Sequence, residues 1–209
     1  MKIQPSVLAA NIFELETWIQ NLAKSGVDTF HVDFVDPSFA NTIGIDFRIL
    51  EKLQNMNLKF SVHYMAFWNK NMIAEILKYQ PIVLFLHTSR IHDMDFFDQI
   101  SQTHNIGIAI ELNEIAENEM PSIDCDEYLL MNVNLGYCGQ TFDAANLPLA
   151  QKLQKQGKKI TSDGGITLEN IDQVVYFDSI VIGNGLNKNS IQEFIEKIDN
   201  KDSEFESYV

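Results

Sequence analysis

Apolar residues along this chain recur with two periods. Eight short runs rich in β-branched and aromatic residues alternate with stretches in which apolar residues fall three and four apart. The runs predict strands at 2–8, 29–35, 59–65, 82–87, 106–111, 127–133, 158–161 and 179–182. The longer period predicts helices at 13–23, with Leu15, Trp18, Ile19 and Leu22 on one face, and at 47–53, 72–77, 96–103, 144–156 and 191–198. Asn11 and Thr167 stand where helix N-caps belong. Strands alternating with helices predict parallel βα units. Two architectures accommodate eight of them, a doubly wound sheet and a closed (β/α)8 barrel. A barrel needs at least about 200 residues, and with 209 the loops must be short. The 112–124 connection has room for one or two helical turns only. One barrel domain is expected over 1–198, with 199–209 a charged, frayed tail.

Composition narrows the setting. At 45% hydrophobic and 21% charged residues, the chain can bury a sizeable core. No run of eighteen apolar residues is present to span a membrane, and Met1-Lys2-Ile3-Gln4-Pro5 is no signal-peptide core. Cys125 and Cys138 make no disulfide framework, so a cytoplasmic protein is expected. Lys and Arg number 15 against 29 Asp and Glu, a formal net charge of -14. Such a chain repels nucleic-acid backbones. The same acidity at first counts against a phosphorylated small substrate.

Candidate chemistry gathers at the C-terminal ends of the predicted strands. Residues two apart on a strand share a face, so His31 and Asp33 point one way while Phe30, Val32 and Phe34 point the other. His63 ends the third strand and Asp163 the seventh. In a parallel barrel these ends converge on one mouth, where two imidazoles and two carboxylates would suit a divalent metal such as Zn, Fe or Mn. Burying the four without a cation or hydrogen bonds would be costly. His87 ends the fourth strand and fits a supporting place behind the ligands; His92 and His104 read as surface residues. A second constellation is rich in glycine. Gly136 and Gly139 follow the sixth strand, Gly164 and Gly165 the seventh, and Gly183, Asn184 and Gly185 the eighth. Glycines let backbone N–H groups approach a phosphate, and helices that follow add positive dipole ends. Such a cradle needs no lysine or arginine, which removes the objection from net charge.

The sequence resembles the ribulose-phosphate 3-epimerase family of small (β/α)8 TIM barrels of the ribulose-phosphate-binding type. The resembling pieces are Pro5-Ser6-Val7-Leu8-Ala9-Ala10, His31-Val32-Asp33-Phe34-Val35-Asp36, His63-Tyr64-Met65, Met131-Asn132-Val133-Asn134 with Gly136, Gly139 and Gln140, Asp163-Gly164-Gly165-Ile166, and Gly183. The resemblance implies that His31, Asp33, His63 and Asp163 bind one divalent metal ion, with Asp33 and Asp163 the two proton-transfer groups. It implies that Ser6 contacts a sugar-phosphate substrate, that Met65 and Met131 line the reacting centre, and that Gly136, Gly139, Gly164, Gly165 and Gly183, with Asn184 beside them, surround the phosphate. It also implies a homo-oligomer. The expected reaction is metal-dependent epimerisation of a ketose phosphate at C3. D-ribulose 5-phosphate to D-xylulose 5-phosphate is the first pair, and a ketohexose 6-phosphate such as D-allulose 6-phosphate a close variant.

Inverting a carbon beside a carbonyl requires a proton to leave one face and return to the other, which suits two opposed carboxylates. A metal on the neighbouring oxygens stabilises the resulting charge. Departures from the family concentrate in the loops. Val35-Asp36-Pro37 stands where Met-Asp-Gly is usual, and Pro37 fixes φ there. Tyr137-Cys138 interrupts the glycine loop, Gly183-Asn184 replaces Gly-Ser, and Ser89 replaces an acid two positions past His87. A barrel lyase is a further alternative, but related lyases carry Asp-x-Lys where this chain has His31-Val32-Asp33. A non-catalytic sugar-phosphate binder would not need two opposed carboxylates.

Overall fold

Along each strand, side chains alternate between a helix-covered outer face and an interior. The computed structural model describes every residue except 38, 41, 113, 116–118, 136–138, 184–185 and 207–209, and of 201–206 it describes the backbone alone. The strands are β1 (Lys2–Pro5), β2 (Thr29–Val35), β3 (Lys59–Met65), β4 (Val83–His87), β5 (Ile106–Ile110), β6 (Glu127–Met131), β7 (Lys159–Asp163) and β8 (Ser179–Ile182). They run parallel in the order β1-β8-β7-β6-β5-β4-β3-β2. A parallel bridge from Ser6 to His31 brings the two edges together. The result is a nearly closed eight-stranded barrel. Its helices are α1 (Leu15–Lys24), α2 (Arg48–Asn55), α3 (Lys70–Lys78), α4 (Met94–Ser101), α5 (Leu147–Lys155) and α6 (Lys188–Glu206).

Outward strand residues such as Phe30, Val62, Leu84, Ile108 and Ile160 pack with Ile19, Leu53, Ile73 and Leu153 of the helices into one apolar layer. Burial of these stripes, at about 25 cal/mol per Å² of apolar surface, holds short helices that would be marginal alone. The interior is divided. Val83, Phe85, Ala109, Leu129, Met131 and Val181 fill one part. Gln4, His31, Ser61, His63, Thr161 and Ser179 form a buried polar part. Gly107, paired with Phe85, is small for a reason: a Cβ there would lie 2.6 Å from the Phe85 ring, which lies over it.

Several boundaries differ from expectation. β1 stops at Pro5, because Ser6 makes the closing bridge and the chain then turns through a 3-10 helix at Val7–Ala9. β7 runs on to Asp163, so Ser162 and Asp163 belong to the strand. Thr167 is no cap; its own N–H donates to Asn170 Oδ1 at 2.8 Å, and the segment forms only a 3-10 turn, Ile171–Val174. Among the described residues, no helix lies between β5 and β6, and no α-helix between β7 and β8. Asn11 caps a turn ahead of α1, accepting from Phe13 N–H at 3.1 Å. Side-chain caps are made by Asn69 for α3, Asp93 for α4 and Asn187 for α6. α6 continues through the 199–206 segment. Among the described residues no helix is long and apolar enough to cross a membrane.

Candidate active site

The ends of β2, β3 and β7 bring four chargeable side chains together at the barrel mouth. Strand register fixes the meeting: Asp33 pairs with His63 across β2 and β3, and Asp163 ends β7 beside Met131. One ligand atom from each of His31, Asp33, His63 and Asp163 lies within 4.8 Å of the others, and all four residues are buried. His31 Nε2 is 3.3 Å from Asp33 Oδ1 and 3.8 Å from Asp163 Oδ2. His63 Nδ1 is 3.5 Å and 3.6 Å from the same two oxygens.

These two nitrogens are buried without a hydrogen-bond partner, an arrangement that native interiors avoid unless something else occupies the centre. Ligand atoms that share one ion at bonds of about 2.1 Å stand about 3–4 Å apart, the range of the four imidazole–carboxylate separations above. Two imidazoles with two carboxylates suit Zn, Fe or Mn alike. The group could therefore hold a divalent metal ion. Without a cation, the carboxylates and imidazoles serve one another. Burial opposes a charge on Asp33, but His31 and His63 overcome it and hold its carboxyl well below the usual range. Burial likewise opposes a charge on His63, yet Asp163 and Asp33 raise it to about 9.

The ring nitrogens that face away are held from behind. His31 Nδ1 meets Ser61 Oγ at 2.8 Å, and Ser61 donates to Gln4 Oε1 at 2.6 Å. Gln4 Nε2 donates to Ser179 Oγ at 3.0 Å. Ser61 spends its single proton on Gln4, so it accepts Nδ1–H from His31 and leaves the Nε2 lone pair facing the centre. His63 Nε2 lies 2.8 Å from His87 Nε2. Ser6 Oγ donates to Asp33 Oδ2 at 2.7 Å, leaving Oδ1 toward the imidazoles.

A cavity of about 300 Å³ opens above this cluster. Its wall includes Ser6, Asp33, Met65, Met131 and Asp163, with Gly139, Gly164, Gly165 and Gly183 along another side. The glycine loops and the two carboxylates therefore meet around one space, with His31 and His63 in contact with those carboxylates. Gly136 and Asn184, also expected there, lie outside the described residues, as does Cys138. The expected dipole ends are incomplete, since β7 is followed by a 3-10 turn alone. Leu8, Val35, Val133 and Thr167 also line the cavity, although none was expected to have a role in the site. Ser61 and Gln4 were also missed, although the two-residue spacing of Ser61 from His63 marks it as inward-facing. His92 and His104, read as surface residues, are exposed and partly exposed respectively, and stand apart from the cluster.

Fold and site together define a class: a (β/α)8 barrel with a buried imidazole–carboxylate cluster at its mouth, beside glycine-rich loops. The chain belongs to the ribulose-phosphate 3-epimerase family, whose model matches residues 2–187. It is 28% identical over 187 residues to a ribulose-phosphate 3-epimerase of Encephalitozoon cuniculi, covering 88% of this chain and 86% of that protein. It is 28% identical over 188 residues to the ribulose-phosphate 3-epimerase of Bacillus subtilis, covering 84% and 86%. Among solved structures, 3-keto-L-gulonate-6-phosphate decarboxylase from Vibrio cholerae aligns with a TM-score of 0.67 at 12% identity, over 95% of this chain and 97% of that one. At that identity the likeness concerns the fold alone.

Proposed function

We propose that this protein epimerises a ketose phosphate at C3, with D-ribulose 5-phosphate and D-xylulose 5-phosphate as the substrate pair. The observation that carries the reading is the placement of Asp33 and Asp163 against two buried, hydrogen-bond-free imidazole nitrogens at the floor of the glycine-edged cavity. Membership of the epimerase family supports it. D-allulose 6-phosphate is the alternative substrate left open by the altered loops.

In this reading Asp33 and Asp163 approach C3 from opposite faces. One carboxylate takes the C3 proton, and the other carboxyl returns a proton to the far face, so the net change is inversion. Ser6 fixes the orientation of Asp33 through its 2.7 Å hydrogen bond. Met65 and Met131 supply apolar walls that keep water from the reacting carbon. Backbone amides of Gly139, Gly164, Gly165 and Gly183 receive the phosphate, with Gly136 and Asn184 assigned to the same loops. A divalent ion held by His31, Asp33, His63 and Asp163 would supply Lewis-acid stabilisation of the negative charge on the substrate oxygens. A carboxyl held as low as that of Asp33 is a weak base, so acidification of the C–H bond must carry much of the barrier.

The same reading takes the chain as a cytoplasmic homo-oligomer with no nucleic-acid partner, supported by its acidity and its family. Incubating metal-replete protein with D-ribulose 5-phosphate and, separately, D-allulose 6-phosphate tests the activity. Formation of the C3 epimer of one of them is expected; turnover of neither contradicts the proposal.

A further inference from the structure

Behind His63, on the side away from Asp33 and Asp163, stands a second imidazole, and beyond that a carboxylate. Its Nε2 is 2.8 Å from His87 Nε2, with the rings stacked at 4.9 Å and 29°. Both rings are buried. Two imidazole nitrogens at that distance bond only when one carries the proton and the other offers a lone pair. The far nitrogen of His87, Nδ1, is buried and has no hydrogen-bond partner within normal geometry; the carboxylate oxygen that faces it, Glu111 Oε1, lies 3.4 Å away. Glu111 stands just past β5, in the inward register set by Ala109, which pairs with His87. Asn146 ties that strand end to β6, donating to the carbonyls of Met131 at 2.6 Å and Glu111 at 3.4 Å. Phe39 packs over the His87 ring at 5.2 Å, and the Arg90 guanidinium covers Phe39 at 4.9 Å.

One distribution of protons satisfies every contact. A carboxylate only accepts, so His87 carries its proton on Nδ1, toward Glu111. Its Nε2 is then a lone pair and takes Nε2–H from His63. The Nδ1 of His63 is left facing Asp33 and Asp163. The opposite arrangement would aim the His87 Nδ1 lone pair at a negative oxygen, leaving two acceptors face to face.

We propose that Glu111, acting through His87, is a positioning residue that fixes the ring orientation and proton placement of His63. Ser89, two positions past His87, is exposed; the neighbouring strand supplies the carboxylate instead. Outer partners of this kind tune metal affinity by about 10- to 100-fold. The inference rests on the reading of the four residues as a metal site, but its first test does not.

Nitrogen-15 NMR of the imidazoles, in metal-free and zinc-loaded protein, reads the protons directly. The relay predicts His87 protonated on Nδ1 alone and a coupling across the hydrogen bond between the two Nε2 atoms. A proton on His87 Nε2 overturns it, whether or not zinc binds. Chelator competition then measures zinc affinity in Glu111→Gln and Glu111→Ala. The Glu111 side chain is 35% exposed, so its removal leaves the interior packing in place. Glu111→Ala should lose about 10- to 100-fold in affinity, and Glu111→Gln, whose amide oxygen still accepts from Nδ1–H, should lose less. Affinity within twofold of wild type in Glu111→Ala overturns the relay. A wild-type protein with no zinc affinity contradicts the metal-site reading instead, and the NMR result still decides the relay.

Discussion

Gly165 joins backbone geometry to the proposed phosphate site, and an alanine there should separate two costs. Its φ is +69°, and a Cβ would lie 2.3 Å from Phe142 N and 2.5 Å from Phe142 Cα. Gly157, just past the C-terminus of α5, has a similar φ of +74° but nothing within 4 Å of an added Cβ. Gly157→Ala therefore carries only the left-handed backbone penalty, about 1 kcal/mol, or a fall in Tm of about 2–4 °C for a chain of this length. Gly165→Ala carries that penalty and a backbone clash. Restoring a contact of about 3.5 Å moves one of the two loops by about 1 Å. Overpacking of that kind adds about 1–3 kcal/mol, so its Tm should fall by about 4–16 °C. A displacement of about 1 Å at a positioning loop can cost up to about 100-fold in catalysis; here KM for the sugar phosphate should rise at least tenfold, with metal affinity unchanged. Calorimetry and steady-state kinetics on the two variants provide the comparison. Equal Tm shifts in both, or an unaltered KM in Gly165→Ala, would refute the reasoning.

Three other perturbations probe separate parts of the molecule. Asp163→Asn should keep the fold, by circular dichroism, and lower turnover by about 10²–10⁴-fold; a rate near wild type removes Asp163 from the chemistry. Zinc affinity should rise with pH, because a cation must displace the proton that His63 holds up to about 9. The slope should be about tenfold per pH unit from 7 to 9, flattening above, by competition against a chelator of known protonation; flattening near the ordinary His value of about 6.5 contradicts that environment. In the metal-free protein the sign runs the other way. The raised His63 contributes stability that is complete below about pH 6.5 and is lost as pH rises through about 9. Phe85→Ala should cost about 3–5 kcal/mol in urea unfolding, since the ring is fully buried against Gly107 of the neighbouring strand.

Much of the fold and part of the site were legible in the sequence. Period-two alternation placed His31 and Asp33 on one face, and strand ends located His63 and Asp163. Parallel topology then makes those four converge. Register between strands is a different matter, since no local pattern reveals that Asp33 pairs with His63 or that Ala109 pairs with His87. Glu111 was missed for this reason: a carboxylate just past a strand reads as solvated until its neighbour is known to be His87. Ser61 and Gln4 carry no signal of their own, being small or neutral polar residues that matter only as links from His31 to Ser179. Thr167 looked like a cap, but Asn170 competes for the same turn and leaves 3-10 geometry. Net charge was the least informative quantity. The 29 acids are mostly on the surface, and the field at the mouth depends on two buried carboxylates and whatever cation they hold.

The most direct measurement is the fate of the C3 hydrogen. Metal-replete protein is incubated in heavy water with D-ribulose 5-phosphate, and the isolated D-xylulose 5-phosphate is examined by NMR and mass spectrometry. Two-base transfer between Asp33 and Asp163 predicts one deuterium at C3 of the product and none elsewhere. Epimer lacking deuterium at C3, or deuterium at a different carbon, would contradict proton removal and return at that centre.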